Sequence, residues 1–419
     1  MLLLVDLRMR LPRLFGPPAW IFSLVKSPEV FLTLFAFAGI YKTSPYLALP
    51  YGFDWTAVMG GLAAVSVIAL ASVSPVRAGL KLRSVDGWLG LFALIVVLGL
   101  LFSRDSAFGV SQTLEFLLLG VIATYIMVRV IAMVTPALIV VRRICKTVVV
   151  LAMVTSVLTL TGFATAERAF AASYLSWGYF LGAAILIAIM LWEKASARAR
   201  IAYGIGIIAM VVSLVLSEAR GPVISLGVVL LVAFFKRGWL SMHVKRWLVV
   251  LVILASVLAI VAASQGALRR FAMLFEEDKG ASVTARWEGW IGAWDIWLKH
   301  PGFGVGTGSF RSVHQTYEPV HALDYPHNLI LGTASENGIV GVIPLIGYLV
   351  SLFRLWRKTG CADKNVRYLL LTCLLVSGYF LVGNMFSGHH LTRQEMLFAG
   401  MAVALSFQSQ SRAGSKTQA

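Results

Sequence analysis

Charge is scarce in this chain: Asp, Glu, Lys and Arg make up 13% of its 419 residues, and 19 acidic residues stand against 36 basic ones. With 59% hydrophobic residues and a mean hydropathy of +0.83, that leaves too little polar surface for a soluble domain. The apolar runs also lack the period-two alternation of barrel strands. Trp247 to Ala263 carries no charge at all, which disfavours a transmembrane barrel and leaves helices. Cysteine is nearly absent. Cys145, Cys361 and Cys373 show no C-x-x-C spacing and no paired loop placement, so they read as inert thiols. No compact apolar core with an Ala-x-Ala site follows Arg8, Arg10 and Arg13, so no removable signal peptide is read and the first helix is expected to stay as an anchor. An Asp-x-Asp pair, the usual magnesium holder of enzymes that use nucleotide-sugars, is missing too.

What the chain does have is long apolar blocks. Twelve occur, near 20–40, 54–73, 86–103, 110–128, 147–163, 171–192, 201–217, 221–235, 247–264, 328–353, 367–386 and 394–409. Each is long enough, or nearly so, to cross about 30 Å of hydrocarbon as a helix. The even-numbered connections and the two tails hold more than two thirds of the basic residues, among them Arg83, Arg129, Arg142, Arg143, Lys194 and Arg367. The short odd connections hold only Lys42, Arg104, Arg168, Arg220 and Arg393. The positive-inside rule therefore places both termini in the cytoplasm and the odd connections outside. The net charge of +17 follows from that asymmetry and from attraction to anionic headgroups, with no nucleic-acid groove implied. No internal repeat is visible, so an inverted-repeat transporter is not supported.

The resulting expectation is an all-α integral membrane protein of about 12 transmembrane helices. Helices 1–9 occupy 1–264, one long outer loop spans 265–326, helices 10–12 occupy 327–410, and a polar, disordered cytoplasmic tail covers 411–419. The loop is too long to be structureless. Trp287, Trp290, Ile291, Trp294, Ile296, Trp297 and Leu298 predict a helix lying in the membrane interface. Pro301 and the glycines 302, 304, 306 and 308 then break it into a tight loop.

Arg220 opens the eighth span on the outer side, with Gly221 and Pro222 behind it. A guanidinium there suits a cavity holding phosphate, and the helix start leaves backbone donors for an anion. The alternative is snorkelling to the headgroups or pairing with Glu218. Arg286 begins the aromatic stretch, where it is either functional or a solvated neighbour of Glu288. His327, pinned by Pro326 at the outer end of the tenth span, is a natural base for a sugar hydroxyl; otherwise it caps the helix. His314, His321 and His327 are spaced for no compact zinc motif. His389, His390 and Arg393 read as polar residues at a helix start, with lining of the same cleft as the alternative. Glu318, Asp324 and Glu336 are the carboxylates that could replace His327 as base.

His327-Asn328, nine residues, then Gly338-Ile339-Val340-Gly341 resembles the His-[Asn/Ser/Gln]-x9-Gly-x-x-[Gly/Thr/Tyr] signature of the O-antigen ligase superfamily. Arg220-Gly221-Pro222 and the run from Arg286 and Trp290 to His300-Pro301-Gly302-Phe303-Gly304-Val305-Gly306 resemble further blocks of that family, over about 205–345. The resemblance implies a GT-C-type, metal-independent glycosyltransferase of the bacterial inner membrane, needing no cofactor. It would use an undecaprenyl-diphosphate-linked glycan donor on the periplasmic face. It further implies Arg220 and Arg286 on the diphosphate and His327 on the acceptor hydroxyl, with Asn328, Trp290, Arg393 and His314 in the substrate-binding set. Direct attack would invert the anomeric centre. Within the family the acceptor differs: lipid A-core for the ligase, a second glycan for the polymerase, a protein hydroxyl for the O-oligosaccharyltransferases. A single long outer loop and a short tail favour the ligase, acting as a monomer among membrane lipids. A carrier or flippase for lipid-linked glycans is the competing class.

Overall fold

The computed structural model describes residues 27–42, 54–73, 81–161, 174–236, 281–317, 323–358, 363–388 and 390–416, together with 239, 241, 242 and 245. The ninth apolar block, the chain before residue 27, Arg168, Glu318, His321, Cys361 and His389 lie outside the described residues. Among the described residues every regular element is a helix. In chain order they are α1 (Pro28–Ala36), α2 (Trp55–Val73), α3 (Ser84–Gly99), α4 (Ser106–Val134), α5 (Ala137–Leu160), α6 (Tyr174–Glu193) and α7 (Ala197–Leu216). There follow α8 (Arg220–Phe235), α9 (Ala281–Lys299), α10 (Phe310–Tyr317), α11 (Leu329–Lys358), α12 (Lys364–Ser387) and α13 (Arg393–Lys416).

Among the described residues, seven helices are long and apolar enough to span a membrane: α2, α3, α4, α6, α7, α11 and α12. This is the architecture of a multi-pass membrane protein. Each of the eleven apolar blocks other than the ninth contains a helix within its described residues, only seven of them long and apolar enough to span, and two differ from their blocks for physical reasons. α5 begins at Ala137, ten residues before the block read from hydropathy, because Arg142, Arg143 and Lys146 are good helix formers that a hydropathy window discards. α13 runs on to Lys416, past the expected start of a disordered tail, through a stretch with no proline to stop it.

α6 is apolar all round and accordingly sits in the centre, with Trp177, Phe180, Leu181 and Ile185 fully buried against α5, α7, α8 and α12. α2, α3 and α7 instead expose large apolar side chains such as Ile68, Leu94 and Ile205, as helices facing lipid do. The connections sort to two ends. At one end, Arg129 bridges Asp86 and the Lys81 carbonyl, Arg83 reaches the Ser406 carbonyl at 3.0 Å, and Arg143 meets Glu29 at 3.2 Å. At the other, the 300–309 loop touches the end of α3 and the start of α4, and residues 323–328 meet α9 and the end of α12. The basic connections thus share one end and the motif-bearing ones the other.

Candidate active site

α11 is broken at Gly338, whose φ of 61° and ψ of −164° interrupt the helix. The 300–309 loop fills the break. Ile339 N–H donates to the Pro301 carbonyl at 2.9 Å, Gly306 N–H to the Glu336 carbonyl at 2.8 Å and Val305 N–H to the Ser335 carbonyl at 3.0 Å. Gly304 (φ 69°) lies against the backbone of Glu336–Asn337 and Gly338 against that of Gly302–Phe303, and a Cβ on either would collide with the opposite chain. The backbone groups freed by the break are in this way satisfied inside the membrane protein. Glu336 belongs to this joint. Half-buried, it accepts from Phe310 N–H at 3.2 Å and from Gly308, which places its carboxyl group at the positive start of α10.

The joint fixes the N-terminal part of α11, beside which His327 stands. Asn328 caps the helix, its Oδ1 accepting from Ile330 and Leu331 N–H, both at 3.0 Å. His327 precedes the cap in the left-handed region at φ 55°, and Glu218, at φ 51°, is the other described non-glycine residue held there. Such conformations are costly and gather at functional sites. Tyr325 meets the His327 ring edge-on at 4.4 Å. Burial pushes the imidazole below its ordinary value, and the Arg286 guanidinium pushes the same way, while the Ser387 backbone and Asp324 oppose. The Nδ1 atom is buried and makes no hydrogen bond. A neutral imidazole is the form that can take a proton.

The last turn of α12, Phe386–Ser387, is where the candidates meet. Trp290 packs at a tilt against Phe386, ring centres 6.1 Å apart, and α9 packs through Gly289 onto Pro326, with 3.2 Å left between an added methyl and the Pro326 Cα. Arg286, one turn before Trp290, is half-buried beside His327. From the other side comes the start of α8. Gly221 lies so close that an added methyl would stand 3.3 Å from Ser387 Oγ and 3.1 Å from Tyr179 Oη. Arg220, half-buried, is the first residue of α8, so the first-turn N–H groups beside it lie at the positive helix end. The end of α12 thus gathers the Gly221 helix start next to Arg220, the Trp290 ring, and His327 with Arg286 acting on it.

A cavity of about 350 Å³ opens next to this cluster, sharing Tyr179, Tyr325 and Ser387 with it and continuing to Asn384, Glu115 and His390. His390 thus lines the cleft, a correction to its reading as a polar residue at a helix start. The remaining expected residues lie elsewhere. His314 is buried between α9 and α10, against the Phe310 ring at 5.1 Å and Gly292, in a small core with Ala293, Ile296 and Val313. It is packing there, since its helix turns it inward. Asn328 commits its oxygen to the cap. Arg393 lies over Phe35 at 5.5 Å with Glu115, Tyr41 and Asp54 around it. Of the carboxylates, Asp324 is exposed and paired with Arg311 at 3.2 Å. Tyr179, Tyr325, Ser387 and Glu115 were not singled out from sequence. Glu115, a lone carboxylate inside an apolar block, was the one of these that carried a signal.

The fold is that of a multi-pass helical membrane protein, and at one end of it a helix start, Arg286 and His327 lie close to one cleft. Residues 205–346 match the family model described as O-antigen ligase, and this stretch is a domain of the O-antigen ligase superfamily. It contains Arg220, Arg286, Trp290, His314, His327 and Asn328, and leaves out Arg393. No curated protein matches the chain.

Proposed function

We propose that the protein is a GT-C-type glycosyltransferase that moves O-antigen glycan from undecaprenyl diphosphate to a sugar hydroxyl of lipid A-core, on the periplasmic face of the bacterial inner membrane. The observation that carries this reading is the meeting of the Arg220–Gly221 helix start, His327 and the Arg286 that acts on it at Ser387, which lines the cavity. In the reaction the acceptor oxygen attacks the anomeric carbon and its proton passes to His327. The bond from that carbon to the diphosphate oxygen breaks, inverting the centre, and undecaprenyl diphosphate leaves with the bonding electrons. Charge grows on the diphosphate as that bond breaks. Two guanidiniums and a helix start aimed at it stabilise the transition state more than the ground state.

The polymerase and the protein O-oligosaccharyltransferase would use the same chemistry with another acceptor. A carrier of lipid-linked glycans would need the arginines but gives His327 no task. Purified protein in detergent, given lipid-linked donor, excess EDTA and each acceptor in turn, separates these readings. Covalent product with lipid A-core is expected. Donor binding without product under every condition would favour the carrier, and recovery of an EDTA-abolished reaction by magnesium would mean the arginines do not suffice.

A further inference from the structure

Glu115 lies nine residues into α4, about 13 Å along the helix axis from its outer end, inside an apolar span. A carboxylate at that depth is expensive to keep unless it faces a polar cavity, and Glu115 does face one. It lines the cavity of about 350 Å³. It also begins a π-helical stretch, Glu115–Ile126, a local rewinding found most often where a helix re-aims side chains at a functional site.

The cavity's chemistry says what it would hold. Its walls are aromatic rings, including Phe37, Tyr179 and Tyr325, interspersed with the amides of Asn384 and Gln394. Neither lysine nor arginine lines it, which makes it a poor place for phosphate and leaves the diphosphate to the arginine side of Ser387. Apolar faces with scattered hydrogen-bonding groups fit the alternating faces and edges of a sugar, and the volume is at the small end of ligand pockets, enough for a sugar unit but not a whole glycan. An ionised carboxylate only accepts hydrogen bonds, and a sugar hydroxyl supplies the donor. The cavity reaches Tyr325, whose ring touches His327. A sugar in it would present a hydroxyl to the base past the Tyr325 ring.

We propose that this cavity is the acceptor-sugar subsite and that Glu115 is an acceptor-binding residue, its carboxylate accepting a hydrogen bond from a hydroxyl of the acceptor saccharide. The inference rests on the transferase reading for the role of His327, but makes its own claim about which substrate the cavity holds. Its test is Glu115→Ala, Glu115→Gln and Glu115→Asp in the full-length protein, with lipid A-core as acceptor and undecaprenyl-diphosphate-linked glycan as donor. Loss of a charge-assisted hydrogen bond should raise the acceptor KM roughly tenfold to hundredfold in Glu115→Ala. Glu115→Gln should fall between, Glu115→Asp should recover part of the loss, and the donor KM should stay within about twofold.

A purely structural role, as counter-charge to Arg393, would instead lower thermal stability and shift both substrates alike, overturning the proposal. Calorimetric titration with core oligosaccharide reads the subsite without turnover. Should wild type bind it and Glu115→Ala bind it at least tenfold more weakly with no product formed by either, the transferase reading fails and the subsite stands. Equal binding by both, or none by wild type, overturns the subsite, while loss of turnover in His327→Ala would still support the transferase.

Discussion

His327 is held in a backbone conformation that costs a non-glycine residue of order 1–3 kcal/mol. The Asn328 cap, buried Pro326 and the Tyr325 ring are the contacts that hold it. Removing the base while keeping the fold, as in His327→Ala, should lower transfer by about 10²–10⁴, read as product formed per minute by correctly inserted protein. Near wild-type transfer would move the base elsewhere. Of the carboxylate alternatives, Asp324 is paired in solvent with Arg311 and Glu336 is engaged by α10. The pH dependence has a definite sign. Burial and Arg286 lower the imidazole's affinity for a proton, so His327 stays neutral below its ordinary value of about 6.5. The acid limb of kcat/KM against pH, which reports the protein without substrate, should therefore fall below about 6.5, and a limb above it would contradict the assignment. Asn328→Ala should cost about 1 kcal/mol through the lost cap, seen as a lower melting temperature in detergent, while Asn328→Ser should retain most of it. These residues were legible because Arg, His and Pro stand out in an apolar chain. Tyr179 and Ser387 were not, since nothing local marks a contact between residues 208 apart.

Among the elements, the joint between the 300–309 loop and the broken α11 determines where His327 stands. Gly338→Ala should be severe for two additive reasons: φ of 61° disfavours a side chain, and the new methyl would run into the Gly302 carbonyl. The expected result is a protein that inserts but loses transfer and becomes protease-sensitive around 300–309; unchanged activity and proteolysis would show that the joint is not rigid. The block at 328–353 read as one unbroken span, and the sequence predicted the 302–308 loop from its glycines but not its purpose. Read as a loop that merely ends an interfacial helix, it proves to be hydrogen-bonded into a transmembrane helix 30 residues later, a pairing with no periodic signature. Helix positions were legible for the opposite reason: burial of an unpaired backbone in lipid forces apolar runs near 20 residues into helices. The π-helical turn at Glu115 carries no such compositional mark.

On the scale of the whole molecule, the basic connections cluster at one end and the cleft at the other, and α9 lies across the cleft end with one face on α11 and one face open. The open face is apolar. Trp287, Ile291, Trp294 and Leu298 recur at helical spacing and are 61%, 45%, 48% and 59% exposed, and Phe303, just beyond the helix, is 75% exposed. Water would be a poor neighbour for so continuous a stripe, whereas tryptophan favours the headgroup level, where its ring is buried and its N–H stays wet. The stripe should therefore rest in the outer interface and hold Arg286 and Trp290, on the same helix, at the height of a lipid-linked diphosphate. In bilayers containing lipids brominated near the headgroup, the fluorescence that disappears on replacing Trp287 and Trp294 together by serine should be strongly quenched, and less so with bromines near the acyl-chain end. The same double substitution should raise the KM for lipid-linked donor more than it lowers kcat, because it loosens the height of the site without touching the base. Fluorescence from these two tryptophans that is insensitive to bromines at every depth would mean that the stripe faces water or another protein, and the placement of the cleft at the membrane surface would have to be given up.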